Sequence, residues 1–204
     1  MIKKLEKISR WQIMVTAALI VALVFAGKGV AGYMAEKSAR DSGSLVTTTL
    51  SVADFTCDGM KQVDSGWVAT DSDPKMVYIH NGAFTSLSLE MDCMVYPGDI
   101  ILYYTTAPDA DFSAQNRIFL VPDVDNPGHY TGTLPMCNVV AVRIDPTSVA
   151  GNVLTIGDIT LNPQYTIADY LDISTYTILM YMVYTLLLGG ILRFVQEFFT
   201  KKYE

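Results

Sequence analysis

Residues 84–92 read Phe84-Thr-Ser-Leu87-Ser-Leu89-Glu-Met91-Asp92, with apolar and polar side chains taking turns along the run. A period of two puts one set of side chains on each face of an extended chain, the pattern of a half-buried β-strand. Outward from it, runs rich in Val, Ile, Thr, Tyr and Phe repeat: 45–55, 66–70, 76–80, 100–106, 117–121, 129–134, 139–145 and 153–162. These are strand-forming residues. Turn residues separate the runs: Asp-Ser-Gly at 64–66, Ser-Asp-Pro at 72–74, Asn-Gly at 81–82, Pro-Gly-Asp at 97–99, Asn-Pro-Gly at 126–128, Asp-Pro at 145–146 and Ala-Gly-Asn at 150–152. Nine short strands at this spacing predict an all-β antiparallel sandwich of jelly-roll type over residues 41–165.

Both ends of the chain break this pattern. Trp11–Gly27 is 17 residues without a charge, and the stretch Trp11–Tyr33 is long enough to cross a ~30 Å hydrocarbon layer, with Lys28 near its far end. Thr175–Leu192 is 18 residues without a charge, running on to an aromatic and basic tail. The expected organisation is a cytoplasmic N-terminus (1–10), a transmembrane helix (11–33), the sandwich, a second transmembrane helix (175–195) and a cytoplasmic tail (196–204). The basic n-region and the small residues Gly29–Gly32 also fit a cleaved signal peptide, and that alternative stays open. Lys3, Lys4, Lys7, Arg10, Arg193, Lys201 and Lys202 flank the terminal sides of the two segments, against Lys28, Lys37 and Arg40 on the inner side of the first. Seven against three places both termini in the cytoplasm of a two-span plasma-membrane protein and the central domain outside. Ala18, Ala22 and Ala26, four apart, and the pair Gly189–Gly190 are the expected helix-packing positions.

Charge and motifs exclude much. The chain has 14 basic and 21 acidic residues, net -7. Residues 41–173 hold 17 acidic and four basic side chains, a net of -13. That domain is no nucleic-acid partner. His80 and His129 stand at strand ends with no nucleophile motif, so no enzyme is expected and no catalytic residue is assigned. Asp71 and Asp73 form one of three Asp-x-Asp pairs in turn-like stretches. Such pairs offer oxygen donors to a structural Ca²⁺, and equally bond their own backbone in turns. No other cofactor is expected. Cys57, Cys93 and Cys137 are an odd set, open to one disulfide plus a free thiol or to three thiols. Among the aromatics, Tyr103, Tyr104 and Tyr130 are the candidate saccharide-binding residues. Tyr103 and Tyr104 are adjacent, so one of them faces outward on a regular pleat.

The runs GDIILYYTTAPDADFSAQNRIFLVP (98–122), HYTGTLP (129–135), VVAVRIDPTSVAGNVLTIGDITL (139–161) and GWVATDSDPKMVYI (66–79) resemble the β-sandwich modules of bacterial membrane proteins for surface-polysaccharide synthesis, of the glycosyltransferase and rhamnan-synthesis type. The resemblance covers about residues 60–162 and rests on strand and turn patterns. It implies a jelly-roll-like accessory module on the bacterial cell surface. Those modules sit beside a catalytic domain and this one stands between two spans, so no catalytic residue carries over. Arg143 and Asp145 match the pattern as a charged pair at a strand end. The expected function is a non-enzymatic membrane-anchored accessory subunit of a complex that makes or exports surface polysaccharide. Its partners would be the membrane, a multi-span glycosyltransferase, polymerase or transporter, and glycan. The alternatives are a free-standing tethered glycan-binding or adhesion module and, third, a small oligomeric two-span channel.

Overall fold

The computed structural model describes residues 9–171 and 174–201, so the expectations for residues 1–8 and 202–204 lie outside the described residues. The element order is α1 (Arg10–Asp41), β1 (Thr48–Leu50), β2 (Thr56–Asp58), β3 (Met60–Val63), β4 (Gly66–Ala69), β5 (Lys75–Cys93), β6 (Ile101–Thr105), β7 (Arg117–Phe119), β8 (Val121–Pro122), β9 (His129–Asp145), β10 (Val153–Leu161), α2 (Ile167–Tyr170) and α3 (Thr175–Lys201). The chain divides into two compact units: residues 38–164, and residues 1–37 with 165–204.

The first unit is an antiparallel β-sheet fold of ten strands, in the order β3-β4-β10-β5-β9-β6-β7, with β1 on β10, β2 on β5 and β8 on β9. Two strands organise it. The 19-residue β5 and the 17-residue β9 pair over most of their length, from Met76↔Ile144 to Glu90↔His129. The early half of β5 also carries β2, and its late half carries β10. Likewise β9 takes β8 at its start and β6 at its end. One strand pair therefore serves both ends of the sheet, which bends at two register shifts, Ile79/Gly82 and Phe84/Ser86. Met76, Leu102 and Ile144 from one part and Leu87, Leu89, Leu154, Ile159 and Leu161 from the other meet in one core and are fully buried.

The sequence expects 76–80 and 84–92 as two strands joined by an Asn-Gly turn, and 129–134 and 139–145 as another two. Each pair is one strand. A two-residue hairpin turn of type I′ needs positive φ at both central residues. Here Asn81 has φ 53° and Gly82 is not in that region, so the dipeptide makes a bulge. In β9, residues 134–136 stand opposite Thr85 alone, and this bulge houses Pro135, which could not donate to a regular ladder. The run 45–55, expected as one strand, is interrupted at Ser51. The Ser51 amide donates to Asp54 Oδ2 (2.8 Å) and Asp54 N–H to Ser51 O (3.0 Å), a reciprocal cap that closes a short 3₁₀ turn.

A fully buried asparagine clamps the bend of β5. The Asn162 Oδ1 accepts the Thr85 amide (2.9 Å), and its Nδ2 donates to Val46 O (3.1 Å) and Ala83 O (3.0 Å). Its own carbonyl accepts from Arg40 Nη2 (3.0 Å) and Thr47 Oγ1 (2.7 Å). Buried polar groups are stable only when paired in this way. Asn162 also holds φ 52°, which asparagine tolerates better than most residues.

In the second unit, α1 starts from a capping box. The Ser9 amide donates to Gln12 Oε1 (2.9 Å) and the Gln12 amide to Ser9 Oγ (3.2 Å). No proline and no positive-φ residue interrupts α1 before Gly43 (φ 74°), and it runs 32 residues through Gly27, Gly29 and Gly32, past the expected end at Tyr33. Ser174 caps α3 through the Thr177 amide (3.1 Å). At 32 and 27 residues these helices are about 48 and 40 Å long, more than a ~30 Å hydrocarbon layer needs. Both are apolar enough to cross a membrane. The buried stripe of α1 is Ile13, Ala17 and Val21, one position over from Ala18, Ala22 and Ala26. Ala18 contributes its carbonyl, which accepts the Tyr181 hydroxyl (2.8 Å). Ala22 and Ala26 are exposed and border a cavity of about 430 Å³ with Phe25, Tyr170 and Ile178. Gly189 is buried against Met14 and Ala17, whereas Gly190 faces open space among the described residues.

Candidate functional site

The outer face of the β6–β9–β5 region gathers the chain's aromatic and charged side chains. The strand register aligns Thr56, Val77, Arg143, Tyr103 and Arg117 in one row across β2, β5, β9, β6 and β7. Their neighbours Met76, Ile144 and Leu102 are buried in the core, so by the pleat this row points away from it. One row along, Asp145 stands opposite Ile101, and Ile101 opposite Phe119.

Arg143 is the centre of this face. Its Nε and Nη2 donate to Asp145 Oδ1 (2.7 Å) and Oδ2 (2.6 Å), a bidentate fork between residues i and i+2 on one face of β9. The guanidinium carbon lies 4.5 Å from the Tyr103 ring centroid and 5.8 Å from that of Phe112, within cation–π range. Nη2 is also 3.6 Å from Asp73 Oδ1, and Asp73 Oδ2 is 2.9 Å from Lys75 Nζ. The hydrogen bond to Asp145 raises the Arg143 pKa further, against the opposing effect of burial. Lys75 is raised first by its hydrogen bond to Asp73. Farther along the row, the Arg117 guanidinium sits 5.4 Å from the Phe119 ring. The result is a surface of flat rings interleaved with fixed donors and acceptors.

The tyrosines named from the sequence separate. Tyr103 is on this outer face. Tyr104, opposite Val142, and Tyr130, opposite Leu89, pack against the core from other positions. Burial is the largest cause raising the Tyr130 phenol above its ordinary value. Asp71 and Asp73 are placed together: the Asp73 amide donates to Asp71 Oδ1 (2.9 Å), a turn bonding its own backbone, while the Asp73 carboxylate faces Lys75 and Arg143. Among the described residues no group of three or more His, Cys, Asp or Glu is assembled to hold a metal. His80 Nε2 is 3.0 Å from Ala83 O, and His129 Nε2 is 3.9 Å from Glu90 Oε1.

Sequence reading missed Phe112, Arg117 and Phe119 in this face. Arg117 and Phe119 share parity with Tyr103 once β6 and β7 are paired, a signal the sequence holds only with the register in hand. Phe112 lies in the 106–116 connection, which has no periodicity to read.

The three cysteines are free. Cys57 stands opposite Met76, Cys137 opposite Phe84, and Cys93 ends β5. Along β5 those positions are eight and nine residues apart, roughly 25–30 Å of extended chain. Neighbouring thiols are thus far beyond the ~7 Å Cα separation a disulfide allows.

No family model matches the sequence, and no curated protein matches it. Solved carbohydrate-binding modules with β-sandwich folds are structural neighbours. A low-affinity xylan-binding module of family CBM86 from Roseburia intestinalis aligns over 58% of this chain and 96% of its own, at 12% identity and a TM-score of 0.38. A family 6 module from Clostridium stercorarium, solved with cellobiose, aligns over 57% and 94% at 10% identity and 0.35. A β-1,3-glucan-binding family 6 module from Bacillus halodurans aligns over 59% and 97% at 11% and 0.33.

Proposed function

We propose that this chain is a non-enzymatic, membrane-anchored glycan-contacting module. Its jelly-roll-like sandwich sits outside the cell and both termini are cytoplasmic. The observation that carries the reading is the Tyr103–Arg143 face. A sugar offers apolar C–H faces and paired hydroxyls. The first pack on aromatic rings such as the exposed Phe119, and the second are matched by the exposed Arg117 guanidinium, which presents two donors in a fixed fork, while that of Arg143 is already engaged by Asp145. Asp145 pins the Arg143 guanidinium on the Tyr103 ring, so part of this face is organised before any ligand arrives. Phe112, Arg117 and Phe119 extend it.

The test is titration of the full chain in detergent against a panel of bacterial surface polysaccharides and their oligosaccharides. At least one should bind, and Tyr103→Ala with Arg117→Ala should weaken it by about tenfold or more. Absence of binding across the panel, or binding untouched by the pair, overturns the reading.

A second reading, an accessory subunit of a complex that makes or exports surface polysaccharide, is favoured by a different observation. Ala22 and Ala26 lie exposed beside a cavity on the helix pair. Small side chains there let a helix of a multi-span synthase, polymerase or transporter approach closely. Co-purification in mild detergent with such a protein, lost in Ala22→Leu/Ala26→Leu, would support it. Recovery of the chain alone would oppose it.

A further inference from the structure

We infer that the groove at the Arg10 end of the helix pair is a binding site for one anionic phospholipid of the cytoplasmic leaflet. This inference rests on the two-span reading above. The groove has a volume of about 450 Å³, within the range of ligand sites, and is lined by Arg10, Ile13, Met14, Leu186, Gly190 and Arg193, with Gly189 and Glu197 completing it.

Its chemistry is divided as a phospholipid's is. Ile13, Met14 and Leu186 give an apolar wall for an acyl chain. Arg10 and Arg193 stand in the same groove as donors for a phosphate, which guanidinium groups bind bidentately. Glu197 accepts from Arg193 Nε at 2.6 Å. That contact holds the guanidinium in place and leaves its Nη groups without another protein partner among the described residues. Two arginines against one glutamate leave the groove net positive. The N-terminal end of α1, where Arg10 sits, adds the positive end of a long helix dipole.

The two glycines have different tasks. Gly189 is filled: a Cβ there would stand 2.4 Å from Met14 Sδ and 3.9 Å from Ala17 Cβ. Gly190 is unfilled: apart from its own turns of α3, no atom of the described residues lies within 4 Å of a Cβ there. Met14 thus closes the helix contact at Gly189 while the absent side chain at Gly190 keeps the groove open. A leucine at 190 would occupy the groove without changing any charge.

The experiment is native mass spectrometry of the full chain released from vesicles of phosphatidylcholine alone or mixed with phosphatidylglycerol. The chain should retain one phosphatidylglycerol in preference to phosphatidylcholine. Arg10→Gln/Arg193→Gln should lower that preference about thirty-fold, taking each cation at the membrane surface as worth about fivefold. Gly190→Leu should remove the retained lipid while leaving net charge intact. Equal retention of the two lipids overturns the site. So does retention by Gly190→Leu at the wild-type level, which would assign the preference to diffuse attraction by the basic flanks. Alkaline extraction of the same vesicles separates this from the parent reading. A chain that extracts fails as a two-span protein. A chain that stays inserted and holds no phosphatidylglycerol fails only here.

Discussion

The β5–β9 strand pair and the α1–α3 helix pair are built from similarly apolar residues, and they use them in opposite ways. In the strands the large side chains point at one another: Phe84, Leu87 and Leu89 are at 0% exposure. In the helices they point away. Leu23 is 72% exposed and Leu186 63%, while the contact between the helices is made by Ala17, Gly189, Met14 and the Tyr181–Ala18 hydrogen bond. The lesson is that hydropathy does not define a core. In water an apolar side chain gains by leaving solvent, so the sandwich buries bulk. On the proposed two-span reading lipid is the solvent for the helices, which then meet through small residues and polar contacts while bulk faces outward.

The largest test of this contrast is a matched pair of leucines. Leu89→Ala should destabilise the sandwich by about 2–5 kcal/mol, the cost of a cavity in a close-packed core. Leu186→Ala should change the stability of the detergent-solubilised chain by no more than about 0.5 kcal/mol. Urea unfolding followed by β-sheet circular dichroism reads the first, and thermal loss of helical signal reads the second. Equal costs would mean that the outward leucines are buried by something other than lipid or detergent.

A smaller test lies within the helical unit, where α1 meets α2. A Cβ on Gly29 would stand 2.5 Å from the Tyr170 carbonyl oxygen, a backbone atom that cannot turn aside. Gly29→Ala should therefore cost about 1–3 kcal/mol of helix-unit stability through overpacking. Gly190→Ala meets open space and should be neutral, or stabilising by up to about 1 kcal/mol from helix propensity. Thermal unfolding of both variants in one detergent checks the sign. A neutral Gly29→Ala would show that helix contact there is loose.

The same contrast explains how much was readable in advance. Alternation in 84–92 reports a buried face directly, and uncharged runs of 17 and 18 residues report the helices, because both are local properties of the chain. Asn81-Gly82 and the gap 135–138 read as strand breaks because a bulge and a turn use the same residues. Only the partner strand decides between them, and in each case the partner continues past the site. The packed stripe Ile13, Ala17, Val21 sits one residue from the alanine series because spacing identifies small faces without saying which one a neighbour meets. The Arg143–Asp145 pair was readable as a strand-end pair. Its stack on Tyr103 and Phe112 needed β6 and the 106–116 connection brought beside β9.

The gentlest test probes the far end of β5, to ask whether it is as closed as its centre. Burial, aided by the neighbouring Asp92 charge, pushes the Cys93 thiol up to about 11. Burial also raises Cys57 and Cys137. A raised thiol pKa means that the neutral form persists as pH rises, and alkylation needs the thiolate. At pH 8 a group with pKa about 11 is roughly 0.1% thiolate, against about a quarter for an unperturbed cysteine near 8.5. Iodoacetamide should therefore modify Cys93 about two hundred times more slowly than a free cysteine at pH 8. The rate should climb about tenfold per pH unit and level off only near pH 11. Peptide-level mass spectrometry with time resolves the three sites. Fast modification of Cys93 at pH 8 would place the end of β5 in solvent and confine the closed core to its middle, where Leu87 and Leu89 have strand partners on both sides and Phe84 is fully buried.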